Sequence, residues 1–288
     1  RINLTGWFNH ERGTFSAKGS VSVFEVSALM ALWQVPVNGN VGLDFDASGN
    51  IDDPTISVLM GDTRLSYQTV KDVEISGSAK LSQKVVSLSN LKLVTQSAGV
   101  AILGTVDLTP KFPSLELSLI TENLELKLLG LAEGMSGKAS LEVDLTGSTQ
   151  SPSAKLRGKV RDFCFRPQVD NQIVCIDEIQ TRSQVSKDLF SIGTFSLRDA
   201  EWGMVEAHGD GSITKQSFNG TLDLVDFPLS LLDAFISEPL GIKGRVDADL
   251  SVGGDLQNPI AGGKLEVQGF AYDQYSLGDL TILLVGNE

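Results

Sequence analysis

The sequence predicts a mainly β protein, an elongated and repetitive antiparallel sheet with a few short helices. Three observations carry this. Apolar and polar residues alternate with a period of two along the chain, helical spacing is confined to three short segments, and one Gly–Gly–Pro spacing returns three times.

The alternation is clearest between Lys138 and Leu145, where Ala139, Leu141, Val143 and Leu145 oppose Ser140, Glu142 and Asp144. Between Arg245 and Val252, Val246, Ala248, Leu250 and Val252 oppose Asp247, Asp249 and Ser251. Val41, Leu43, Phe45 and Ala47 stand against Asp44, Asp46 and Ser48, and Leu115, Leu117, Leu119, Leu265 and Val267 continue the pattern. One apolar and one polar face per strand describes an antiparallel sheet wetted on one side.

Helical spacing occurs at Ser27–Trp33, Asn123–Ala132 and Pro228–Ile236. In the last, Leu231, Leu232, Phe235 and Ile236 share a face and Pro228 suits a first turn. Three such segments are too little to cover an apolar sheet face in a chain of 288 residues.

The repeat superposes without a gap. Gly39, Gly49 and Pro54 match Gly137, Gly147 and Pro152, and again Gly244, Gly254 and Pro259. The intervals are 137 − 39 = 98 and 244 − 137 = 107 residues. In each copy a helix candidate precedes the first Gly, a strand fills the gap between the two Gly, and a polar turn leads to Pro. Gly supplies positive φ at the strand end, and Pro is read as stopping the ladder. Residues 1–288 are thus read as one continuous fragment of a longer array, with copies centred on 39–54, 137–152 and 244–259. The opening at Arg1 and the stop at Glu288 after an apolar run are both read as cuts.

A hydrophobic content of 41% with 20% charged residues is globular. The net charge of −13 argues against a nucleic-acid partner and against docking on an anionic membrane face. No apolar run approaches the ~18 residues of a spanning helix, so any membrane contact is assigned to regions outside this fragment.

Motifs of chemistry are weak. Asp44–Asp52 imitates a calcium loop, but Thr55 stands where Glu is expected and Pro54 lies inside it, so it is read as a strand ending in a turn. With two histidines, His10 and His208, no triad or zinc spacing is present, and His208–Ser212 is read as a turn. No catalytic residue, metal or cofactor is assigned, and the chain is read as not an enzyme. Cys164 and Cys175 flank a turn at Pro167–Gln172, and each faces away from its apolar neighbours Phe163, Phe165, Val174 and Ile176. A hairpin centred near Val169 and Asp170 brings the sulfurs opposite one another; the alternatives are two free thiols or a register one residue off. A bridge suits an oxidising compartment.

The segment Gly244–Pro259, followed by Ile260–Gly269 and preceded by Asp226–Phe235, resembles repeats of the TamB/AsmA-like family, and the three copies extend the resemblance over essentially the whole chain. The resemblance implies a sheet curled into a U-shaped hydrophobic groove, a β-taco. It implies a periplasmic location in a Gram-negative bacterium, inner-membrane anchoring, phospholipid acyl chains as cargo, and an outer-membrane barrel of the TamA type as partner in outer-membrane biogenesis.

The residues independently pose the same problem, because an apolar sheet face needs a cover: a second sheet, a closed solenoid, or an apolar ligand. Acyl chains gain ~0.8 kcal/mol per buried methylene. The expected lipid-binding residues are Val41, Leu43, Phe45, Leu141, Val143, Leu145, Leu222, Leu224, Val246, Leu250, Val252, Leu265 and Val267. Asp44, Glu142, Asp144, Asp247 and Asp249 are expected on the wet face. The alternatives are a structural or adhesive β-solenoid with a closed dry core, and a scaffold offering sheet edges to outer-membrane strands.

Overall fold

Alternating sequence becomes strand throughout the computed structural model, which describes residues 1–23, 25–27, 37–67, 70–95, 98–129, 135–166, 173–235, 240–255 and 257–286. Seventeen strands are found among these residues, and strands adjacent in the chain pair in antiparallel fashion. The fold is mainly β. Two compact units are distinguished, residues 1–124 with 142–152, and 125–141 with 153–288.

The first unit is a meander of β1 (Ile2–Asn9), β2 (Thr14–Val23), β3 (Val37–Asn50), β4 (Asp53–Tyr67), β5 (Val70–Ser82), β6 (Val85–Val94), β7 (Gly99–Asp107) and β8 (Ser114–Glu125). It also takes the turn end of β9 (Ser136–Ser148) and β10 (Ser151–Phe165). The second unit holds the start of β9, most of β10, then β11 (Val174–Val185), β12 (Leu189–Asp199), β13 (Gly203–Ser212), β14 (Ser217–Pro228), β15 (Ile242–Asp255), β16 (Pro259–Tyr272) and β17 (Tyr275–Leu284).

The Gly–Gly–Pro repeat marks three long hairpins. β3 and β4 have 14 and 15 residues, β9 and β10 have 13 and 15, and β15 and β16 have 14 each. Its prolines do not stop the ladder. Pro259 opens β16 in direct register with Gly254, and Pro54 pairs Gly49 one residue into β4. Near the start of a strand a missing N–H is tolerated. The glycines are dictated by backbone: Gly39 has φ +129°, and a Cβ there would lie 2.0 Å from the Arg64 carbonyl oxygen.

Among the described residues, the second and third helical segments form 3-10 turns. Asn123–Glu125 continues β8, and Leu126–Leu129 follows as a 3-10 turn. Pro228 closes β14, and a 3-10 turn spans Leu229–Phe235. Residues 28–33 of the first segment, like 130–132 and 236, lie outside the described residues. His208–Ser212 is strand β13 rather than a turn, which follows at 213–216.

Candidate apolar ligand surface

Residues directly paired on antiparallel strands project from the same face, so the registers trace which side chains lie side by side. In the second unit one file crosses eight strands: Val160, Ile179, Leu197, Val205, Leu224, Ala248, Leu265 and Ile282. A second file runs Gly158, Thr181, Phe195, Ala207, Leu222, Leu250, Gly263 and Leu284. A third joins Phe227, Val246, Val267 and Leu280. Leu141 lies against this face, its Cδ2 3.1 Å from where a Cβ on Gly158 would stand.

The expected residues Leu222, Leu224, Val246, Leu250, Val252, Leu265 and Val267 therefore form one patch on three adjacent strands. Val246, Ala248 and Val267 are its buried centre, with Leu224, Phe227, Leu229, Leu250, Leu265, Phe270 and Leu280 packed around them. The 3-10 turn after β14 contributes Leu229 to this packing.

A bulge keeps this face apolar. Leu224 pairs Ala248 but Phe227, three residues on, pairs Val246 only two residues away. The extra residue falls at Asp226, whose φ is +54°. Its amide donates to Asp247 Oδ1 at 2.8 Å, and the Arg245 guanidinium holds both its carbonyl oxygen, at 2.7 Å, and its carboxylate. Without the bulge Phe227 would fall on the polar side.

The first unit repeats the arrangement. Ala17, Ala47, Ile56, Leu81, Val86, Val106 and Leu115 form one file from β2 to β8. Beside it run Leu4, Gly19, Phe45, Val58, Ala79, Leu88, Gly104 and Leu117. Leu43 pairs Val21 and Met60, and Val41 pairs Val23, so the three expected residues of β3 share this face. Val143 and Leu145 lie on one face of β9 by alternation, both half-buried.

Cover is sparse. Among the described residues, the buried hydrophobic side chains are Val26, Ala47, Leu126, Ala139, Val174, Ile176, Val246, Ala248 and Val267. The rest of both sets of files is half-buried or exposed, with Ile282 still 43% exposed. Among the described residues, this surface is thus only partly covered.

Thr63 is the residue that alternation does not announce. It is fully buried, and its hydroxyl donates to the Gly42 carbonyl at 2.9 Å while accepting from the Gly42 amide at 3.1 Å. It thereby replaces the ladder bonds lost where β3 and β4 slip register. Only the small residues Gly61 and Asp62 before it hint at that slip.

The opposite face is wet. Asp44 pairs Ser20 and is exposed, and Asp46 meets Lys18 at 2.8 Å, raising the lysine's pKa through hydrogen bond and charge. Asp249 is exposed, while Asp247, Glu142 and Asp144 are half-buried. Cys164 and Cys175 are directly paired and joined by a disulfide, their Cα atoms 4.1 Å apart. Phe163 and Phe165 stack on the other side at 5.6 Å, beside buried Val174 and Ile176.

No group of three or more His, Cys, Asp or Glu able to hold a metal, and no helix long and apolar enough to cross a membrane, occurs among the described residues. Comparisons with protein-family models, with curated proteins and with solved structures returned no match.

Proposed function

We propose that the apolar face binds the acyl chains of phospholipid and forms the floor of a U-shaped groove that carries lipid between membranes. The observation that supports this is the unbroken apolar file across all eight strands from β10 to β17, whose neighbours along each strand are mostly polar, with Met204, Val225 and Leu283 as the exceptions. At ~4.8 Å per strand such a file runs ~34 Å. An acyl chain spans about half of a ~30 Å hydrocarbon core, so each would lie across three or four strands. Right-handed twist and the recurring bulges supply the means of curling the sheet around such a chain.

On this reading, and on the resemblance to the TamB/AsmA-like family, the protein works in the periplasm, anchored through other regions, with a TamA-type barrel as partner. The disulfide is in keeping with an oxidising compartment. The test is mass spectrometry of lipid copurifying with the chain and with Leu250→Arg, alongside thermal melting. An unpaired charge against acyl chains costs several kcal/mol. Lost lipid with a retained melt supports the groove; a collapsed melt supports a closed dry core; unchanged lipid contradicts the assignment.

A further inference from the structure

We propose that the polar face of the second unit is a self-complementary docking surface for a second copy of this chain, held by opposed charged strips. The observation is a segregation of charge within that one face. Four polar pairs of β10 with β11 run Lys155–Gln184, Arg157–Arg182, Lys159–Gln180 and Arg161–Glu178. They hold five cations and a single carboxylate. On β13 to β16, Glu206 pairs Asp223, Asp223 pairs Asp249, and Asp247 pairs Glu266. Against these five carboxylates stand Lys264, paired with Asp249 and 2.5 Å from Glu266, and Arg245, whose guanidinium is taken up by a sixth carboxylate, Asp226.

This arrangement works against the isolated sheet. Like charges directly opposite one another, as Asp223 with Asp249, destabilise a strand pair, whereas interleaved signs would stabilise it. Local ion pairs take up part of the field: Lys159 and Arg161 share Glu178, and Arg198 on β12 reaches Glu206 at 3.4 Å. Reading across the sheet, the file Lys159, Gln180, Ser196, Glu206, Asp223, Asp249 passes from basic through neutral to acidic.

A two-fold axis parallel to the strands and passing near β13 would lay the basic strip of one copy over the acidic strip of the other, twice. Such an isologous contact needs complementarity within one surface, which this face has. Seven strands at ~4.8 Å by four polar pairs at ~6.8 Å give about 600 Å² per partner, near the lower limit of specific interfaces. The association is therefore weak and salt-dependent. It leaves the apolar face of both copies outward and free.

The test is sedimentation equilibrium of the full 288-residue chain in ~20 mM and ~500 mM NaCl. Dimer at low salt and monomer at high salt is expected. Arg157→Glu with Arg182→Glu, and separately Asp223→Lys with Asp249→Lys, should each weaken dimerisation about tenfold or more, and mixing the two variants should restore a heterodimer. If either double variant melts early, Arg182→Gln and Asp249→Asn replace it. A wild-type monomer at low salt overturns the proposal, as does a dimer indifferent to both reversals. Dimerisation that is lost on reversing the basic strip but unchanged on reversing the acidic strip also overturns it.

Discussion

Phe45 lies across Gly19. The two are directly paired between β2 and β3, and a Cβ built on Gly19 would stand 2.7 Å from Phe45 Cε1 and 2.5 Å from the Asn3 carbonyl oxygen. The ring fills the space a side chain would take. The same device recurs in the other unit, where Phe190 pairs Gly211 and its Cε1 stands 2.6 Å from the position of an added Cβ.

Gly19→Ala should therefore displace the ring and destabilise the sheet by about 1–3 kcal/mol, the usual cost of overpacking. Denaturant unfolding of the variant checks this. The accompanying sign is faster amide exchange along β2 and β3, with β10 to β17 unaffected.

Removing the disulfide should lower the melting temperature. Cys164 and Cys175 are 11 residues apart, and closing a loop of that size stabilises by about 3 kcal/mol through the unfolded chain. Cys164→Ser with Cys175→Ser should melt where the reduced wild type melts, and a reductant should leave the variant's melt unchanged.

Acid should loosen the hairpin turns. Three turn carboxylates are held below the usual carboxylate range by local hydrogen bonds. Asp107 is held by the hydroxyl and amide of Thr109, Asp188 by those of Thr214 with help from Ser212, and Asp255 by the amide of Asn258 and its side chain. Each carboxyl is more acidic folded than unfolded. Its contribution is present above the unfolded value near ~3.9 and is lost as pH falls through the lower folded value. Melting temperature should fall below about pH 4, and Asp188→Asn should make that fall shallower.

Much of this architecture was legible from alternation. The faces of β3, β9 and β15 follow directly from one-residue steps, and the Cys164–Cys175 pairing follows from symmetry about the intervening turn. What alternation could not convey was register. Phe227 is an odd number of residues from Leu224, so counting alone puts them on opposite faces; the bulge at Asp226 reunites them. The apolar spacing in Asn123–Ala132 and Pro228–Ile236 is satisfied equally by the end of a strand and a 3-10 turn, which is what forms. Pro54 and Pro259 were read as ladder stops because proline lacks a donor, yet beside a turn the missing donor costs nothing. Thr63 carried no periodic signal, because its role is to mend a register slip.

The apolar files should also respond asymmetrically to charge. Leu222→Asp places a carboxylate between Ala207 and Leu250 on the apolar face, whereas Asp223→Leu removes one from the wet face. The first should abolish lipid copurification, and the second should leave it intact, with both proteins folded by far-ultraviolet circular dichroism.

The most direct measurement is lipid photo-crosslinking from a photoreactive residue placed one position at a time along β14 and β15 in cells. Crosslinks at Leu222, Leu224, Leu250 and Val252, with none at Asp223, Asp249 or Ser251, would show acyl chains on the face that the strand registers make apolar. Crosslinks of equal strength on both faces, or none on either, would contradict the account.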